Sequence, residues 1–475
     1  MNHTRCFVLI LLLVLISPLF CFAGGPLVVG GPAVGTRAAF GKDGQPFTWN
    51  PASMAIQYRV DPGPFAITFI GTQVVSNATG LARVAAMFDV WHAVPTASIS
   101  FSYAGPLLPA GSYTGGDLTS VQQFNDVIGS CKSAIQNPVI FDGDGSLMSN
   151  LGLPAEVIGF SQPCAIDATN GFLTGSAVVL NGRMQDGVSA QGPPPNFELN
   201  ANEFDEAITH EIGHFIGLDH SQINLDVFTS NTFPCDVDEL AGMPLMFPGL
   251  VCQARKDAGL PVLAPDDVAW ISTLYPSASF ASSYATISGT IYFPDGVSQF
   301  QGANVIARAV YDPKAARDDS RRIAVSVVSG YLFTGNPGQS VTASLADPNE
   351  NNTNGDSNGS RNPQFIGHYQ IAVPPGTYTV EVEEVYAAFV SGSSVGPLSP
   401  PAPMMNSAEF WNNDESRFDF RLQQDTITVH AGDKITGIDI ILNGQFTRFD
   451  HYEDSGGLFD APLALPLGMG AEVRS

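Results

Sequence analysis

The chain has 475 residues, 44% of them apolar, and 45 acidic side chains against 20 basic ones give a formal net charge of −25. That charge repels phosphate backbones and anionic membrane surfaces, so nucleic acid is excluded as an expected partner. It reads mainly as a solubility property, with a preference for basic peptides as the sharper alternative, and the length permits two to four domains.

Residues 1–5 carry one arginine, and an apolar run from Cys6 to Phe22 then ends at Ala23 before Gly24-Gly25. This is the n-region, h-region and small-residue cleavage position of an export signal over residues 1–23. A membrane anchor is the alternative, but the run is short and broken by Pro18. Bulky Phe20 disfavours lipid attachment at Cys21. No later apolar run is long enough to span a bilayer, so the expected location is extracellular, with periplasm or cell surface as variants, and no stable membrane insertion is expected. Removing the signal takes Cys6 and Cys21 with it and leaves Cys131, Cys164, Cys235 and Cys252. Those allow three pairings, of which the sequential one, Cys131 with Cys164 and Cys235 with Cys252, is the simplest in an oxidising compartment. A zinc site built from them lacks any CxxC spacing.

Residues 54–61 read as a strand, 80–93 as an amphipathic helix carrying Leu81, Val84, Ala85, Phe88 and Trp91, and 97–103 as a second strand. Strand, helix, strand points to an α/β layer. His92 has no spaced partners and reads as an ordinary helix residue. Asp142-Gly143-Asp144-Gly145-Ser146 reads as a turn, with calcium binding through alternate oxygens as the alternative; no Glu completes an EF-type loop. A long helix is expected from Asn202 to Phe215, with Asn202 as its cap and Glu203, Asp205 and Glu206 in the positive first turn.

That helix ends in His210-Glu211-Ile212-Gly213-His214, followed by Phe215-Ile216-Gly217-Leu218-Asp219-His220. Positions four apart share a helix face, so His210 and His214 can face one ion with Glu211 beside it. His220 is wrongly phased for the same straight helix, so the chain must turn, and Gly217 can take the positive φ that a turn needs. Three imidazoles leave a fourth tetrahedral position open, the arrangement of catalytic zinc. Zinc would acidify a water there, and Glu211 would take its proton and pass it to a leaving amine.

This stretch resembles the metzincin metallopeptidases, and Ser221 after the third histidine makes it most similar to the matrixin branch. Pro244-Leu245-Met246-Phe247-Pro248 resembles the family's Met-turn, with Met243 as a competitor for Met246, and residues 264–276 resemble the closing helix. The resemblance spans roughly residues 50–278 and is specific over 203–276. It implies a mixed sheet, an active-site helix, a cleft along the edge strand, one catalytic zinc on His210, His214 and His220, and Glu211 as general base and acid. Met246 would lie beneath the metal without doing chemistry. The chain departs from matrixins in three ways. His220 and Met246 are 26 positions apart, so a loop including residues 221–242 is inserted; no propeptide cysteine precedes Cys131; and matrixin calcium and second-zinc ligands are not recognisable.

After Pro276 the helical patterns stop, residues 279–285 read as a linker, and short strands follow at 286–293, 302–311, 323–328, 367–373, 376–384 and 427–442. They predict an antiparallel β-sandwich over 286–443, interrupted by an inserted stretch at about 346–362 rich in Asn, Gly and Asp. Ser288-Gly289-Thr290-Ile291, Gly302-Ala303-Asn304-Val305 and His368 through Val380 resemble carboxypeptidase regulatory-like, transthyretin-like modules. The tail 444–475 carries no readable signal. The predicted architecture is therefore an α/β catalytic domain over 24–278 and a C-terminal all-β sandwich, the latter expected to be dispensable for chemistry. The expected function is a secreted zinc endopeptidase acting on protein or peptide. A non-catalytic surface or adhesion protein with a vestigial zinc domain, or a zinc hydrolase of a non-peptide bond, are the alternatives. Cleavage preference and oligomeric state are not readable.

Overall fold

The computed structural model describes residues 25–32, 39, 41–50, 55–68, 70–188, 198–221, 233–250, 252–300, 302–314, 319–333, 362–383 and 409–444. The expected export signal, residues 222–232 of the inserted loop, the stretch 346–361 and the tail beyond 444 lie outside the described residues.

The N-terminal half is built on β1 (Thr48–Trp49), β2 (Ile56–Val60), a small hairpin of β3 (Ala66–Ile67) and β4 (Gln73–Val75), and α1 (Asn77–His92). It continues through β5 (Phe101–Pro106), α2 (Val121–Lys132), β6 (Pro138–Asp142), α3 (Ser146–Asn150), β7 (Gly159–Asp167) and β8 (Phe172–Asn181). Then come α4 (Ala201–Phe215), α5 (Val237–Gly242) and α6 (Pro265–Leu274). The sheet order is β1-β8-β6-β2-β5, all neighbours parallel, and β7 runs antiparallel along β8. The unbroken apolar run Val139-Ile140-Phe141 suits β6, a strand buried along its whole length. On α1, Val84, Phe88 and Trp91 recur at helical spacing and are buried. Phe88 meets Phe215 of α4 edge-on at 5.4 Å, and Trp91 Nε1 donates to Thr209 O at 2.9 Å, so α1 fixes α4 from behind.

Two further sheets form the C-terminal part. One contains β11 (Ala324–Val328), β10 (Asn304–Ala309), β13 (Gly376–Glu383) and β14 (Glu409–Phe410) in that order, with β15 (Ile427–Val429) also on β13, all antiparallel. The other centres on β9 (Ala285–Tyr292), whose burial alternates residue by residue, as one core-facing side requires. Here β12 (His368–Val373) pairs antiparallel, but β16 (Lys434–Ile435) and β17 (Ile440–Ile441) pair parallel to β9. The expectation of a wholly antiparallel sandwich is thus corrected. The segment 427–442 is not one strand: it starts on the first sheet and crosses to the second, and only a strand arriving from the far side can run parallel to β9. Ser279–Ser283 is a tight turn around a 3₁₀ segment, Phe280–Ser282, and β9 begins at Ala285. Apolar side chains of both halves, including Ile271 and Trp270 of α6 and Val325 and Val327 of β11, belong to one continuous core.

Candidate metal centre

Helix α4 begins nearly three turns ahead of His210 with a capping box. Asn200 Oδ1 accepts from the backbone N–H of Asn202 (2.8 Å) and Glu203 (3.0 Å), while Glu203 Oε2 accepts from Asn200 N at 2.8 Å. The cap is therefore Asn200, not Asn202; the Asn-x-x-Glu spacing was the signal for it. Phe204, Ile208, Ile212 and Phe215 are buried in the core, which turns His210, Glu211 and His214 toward β7 and the Met246 segment.

The helix stops as the third histidine demands. Gly217 has φ +92°, Leu218 N donates to Gly213 O and Gly217 N to His214 O, both at 2.9 Å, the paired bonds of a Schellman ending. The next carbonyl is used at once: His214 Nδ1 lies 2.9 Å from Leu218 O. From the other side, Leu27 N donates to Gly217 O (2.8 Å) and Asp219 N to Gly25 O (3.1 Å), so residues 25–27 brace the turn that carries His220.

Three Nε2 atoms converge. His220 Nε2 is 3.1 Å from His214 Nε2 and 3.2 Å from His210 Nε2, and His210 Nδ1 bonds Leu245 O at 2.8 Å. A carbonyl can only accept, so Nδ1 carries the proton in His210 and His214, and the Nε2 of each presents a lone pair. Lone pairs facing one another call for a cation between them. Tetrahedral bonds of ~2.0–2.1 Å place ligand nitrogens roughly 3.3 Å apart, so the observed spacing suits a small ion. Burial pushes His210 down to about 4 and, with His210 beside it, His214 down to about 3, which keeps both neutral. Among the described residues these three form the one group of three His, Cys, Asp or Glu side chains able to converge on an ion.

Glu211 is buried, its Oε2 has no hydrogen-bond partner, and burial pushes its carboxyl up to about 8. Gly159 makes room for it: a Cβ there would stand 2.9 Å from Glu211 Cγ and 3.0 Å from Val179 O. Met246 abuts Gly213, where a Cβ would stand 2.3 Å from the Met246 Sδ, so the glycine between the two helical histidines is the seat of the methionine. Met243 instead packs with Cys235, Leu240, Phe247 and Cys252. The Met246 turn hangs on Asp267, whose Oδ2 accepts from Leu245 N (2.8 Å) and Ala264 N (2.7 Å) and whose Oδ1 accepts from Met246 N (3.0 Å). Gly159, Gly213 and Asp267 escaped the sequence reading. Of the three only Asp267 stands at a position with a sequence signal, in the acidic first turn that follows Pro265 in α6.

Cys131 pairs with Cys164 across a Cα–Cα distance of 5.8 Å and Cys235 with Cys252 across 5.5 Å, the sequential arrangement. Asp142 spends both oxygens capping α3, on Leu147 N (3.1 Å) and Met148 N (2.7 Å), and Asp144 accepts from Ser146 N at 2.9 Å, as in a turn. Among the described residues no helix is long and apolar enough to cross a membrane. Comparisons with family models, curated proteins and solved structures returned no match.

Proposed function

We propose that this chain is a zinc-dependent endopeptidase of matrixin-like design, with His210, His214 and His220 holding the metal through Nε2. The observation that carries the reading is the convergence of three Nε2 atoms at 3.1 and 3.2 Å, with Nδ1 of His210 and His214 committed to carbonyls, beside a buried carboxylate oxygen without a partner. When bound, zinc supplies Lewis-acid polarisation of a scissile carbonyl and of the attacking water. The charge of the ion would offset the burial that raises Glu211 and keep it ionised, so that Glu211 Oε2 would accept the water proton as the oxygen–carbon bond forms and return it to the amide nitrogen as the carbon–nitrogen bond breaks. Leu245 O and Leu218 O hold His210 and His214 in the tautomer that ligates. Met246 supports the histidine face from below and moves no proton. Protein or peptide is the substrate class, and the Cys235–Cys252 and Cys131–Cys164 links suit an extracellular setting.

The test is hydrolysis of a peptide library by purified protein, lost on chelation and restored by zinc. Stoichiometric metal with no cleavage of any peptide would favour a non-catalytic adhesion role instead.

A further inference from the structure

We propose that the β-rich C-terminal region is an integral part of the metal centre, with Ser326 and Asp266 as positioning residues for His220 and Met246. The inference rests on the triad being a metal site, and it replaces the expectation that residues 286–443 are dispensable.

Strand β11 is the edge of its sheet, paired with β10 on one side through Ser326 opposite Ile306. Its other side is taken up by α6. Asp266 Oδ1 accepts from Ser326 N at 2.7 Å, and Trp270 Nε1 donates to Ser326 O at 2.7 Å. Side chains four apart on one helix thus clamp both main-chain groups of a single strand residue. The hydroxyl of Ser326 lies 3.0 Å from that of Ser221, the residue after His220, and Ser221 N donates to Met246 O at 2.8 Å. The neighbouring acid, Asp267, holds the N–H groups of Leu245 and Met246, and Leu245 O holds His210. Two routes therefore lead from Ser326 to the metal ligands, one through Ser221 and one through the first turn of α6. Ser221, Asp266, Asp267 and Ser326 are each 1% exposed.

The inserted loop joins in. Arg321 pairs with Glu239 at 3.3 Å and Arg322 pairs with Asp238, so α5, which lies between the third histidine and Met246, docks on the approach to β11. The extra length after His220 thus serves as a bracket to the C-terminal region.

The experiment measures zinc affinity of the full chain by competition with a chromophoric chelator, with the cobalt-substituted absorption spectrum as a second readout. Asp266→Leu removes the acceptor for Ser326 N and is expected to weaken zinc binding by about 10–100-fold and to shift the cobalt spectrum, the range typical of groups that orient metal ligands. Asp266→Asn keeps an acceptor oxygen and is expected to restore most of the affinity. Ser221→Ala with Ser326→Ala removes only hydroxyls and decides the matter if the leucine variant does not fold; weakened zinc binding is again expected. Wild-type affinity and spectrum in these variants, even with a lowered unfolding temperature, would overturn the inference. A wild-type chain that binds no metal would instead overturn the reading of the triad.

Discussion

A Cβ on Gly213 would stand 2.3 Å from Met246 Sδ, 2.9 Å from its Cε and 3.2 Å from Trp91 Cζ2. Alanine in mid-helix ordinarily gains ~1 kcal/mol over glycine, but overpacking a filled site costs about 1–3 kcal/mol. Gly213→Ala is therefore expected to lower stability despite its better helix propensity and to displace Met246, read as a lower unfolding temperature of the metal-free protein; a more stable variant would disprove that seat. At Glu211 the balance runs the other way. Its carboxylate is buried with one oxygen unpartnered, so its presence opposes folding. Glu211→Ala is expected to keep the metal, to lose ~10²–10⁴ in hydrolytic rate, and to leave the metal-free fold no less stable. Metal analysis, activity and thermal unfolding on one preparation check all three; full activity would end the mechanism. The convergence of His210 and His214 was legible because positions four apart share one helix face, and that of His220 because Gly217 can turn the chain back to them. Gly159 and Gly213 were not, since what each must avoid arrives from another part of the chain.

At the level of elements, helix α4 was readable to within two residues, missing its start because Asn202 stood nearer the apolar pattern than Asn200. The turn at Gly217 was readable because bringing His220 to His210 and His214 leaves a straight helix no other choice. The parallel pairing of β16 and β17 was invisible, because register between strands distant in sequence leaves no local pattern. The Cys235–Cys252 link, with a sequence separation of 17, brackets Met246 and ties α5 to the chain beyond the turn. Closing a loop of that size stabilises by roughly 3 kcal/mol in the chain-entropy model. Replacing both cysteines by serine is expected to bring earlier thermal inactivation and altered peptide selection before any loss of zinc. Zinc loss at unchanged thermal stability would contradict this.

For the molecule as a whole, buried acids set the pH response. Burial raises Asp61, Glu206 and Glu409 to about 7 and Asp266 and Glu415 to about 8, against ordinary values of 3.8 for Asp and 4.5 for Glu. Between the ordinary and the raised values the folded chain holds protons that the unfolded chain has released, so stability falls as pH rises. His210 and His214, depressed below 6.5, act in the opposite sense, but only up to about that pH. From pH 6.5 to 8 the acids alone count, and the unfolding temperature of metal-free protein is expected to decline across that window. A rise would show that these carboxyls are already ionised in the fold. The clamp on Ser326 bears on timing as well. A chain made from its N-terminus completes its histidines and Met246 some 80 residues before Ser326. At ~5–20 residues per second that is a delay of roughly 4–16 s. If the clamp positions the histidines of the protease proposed above, a chain still being synthesised carries His210, Glu211, His214 and His220 without a working site, and its maker is shielded for as long as Ser326 is missing.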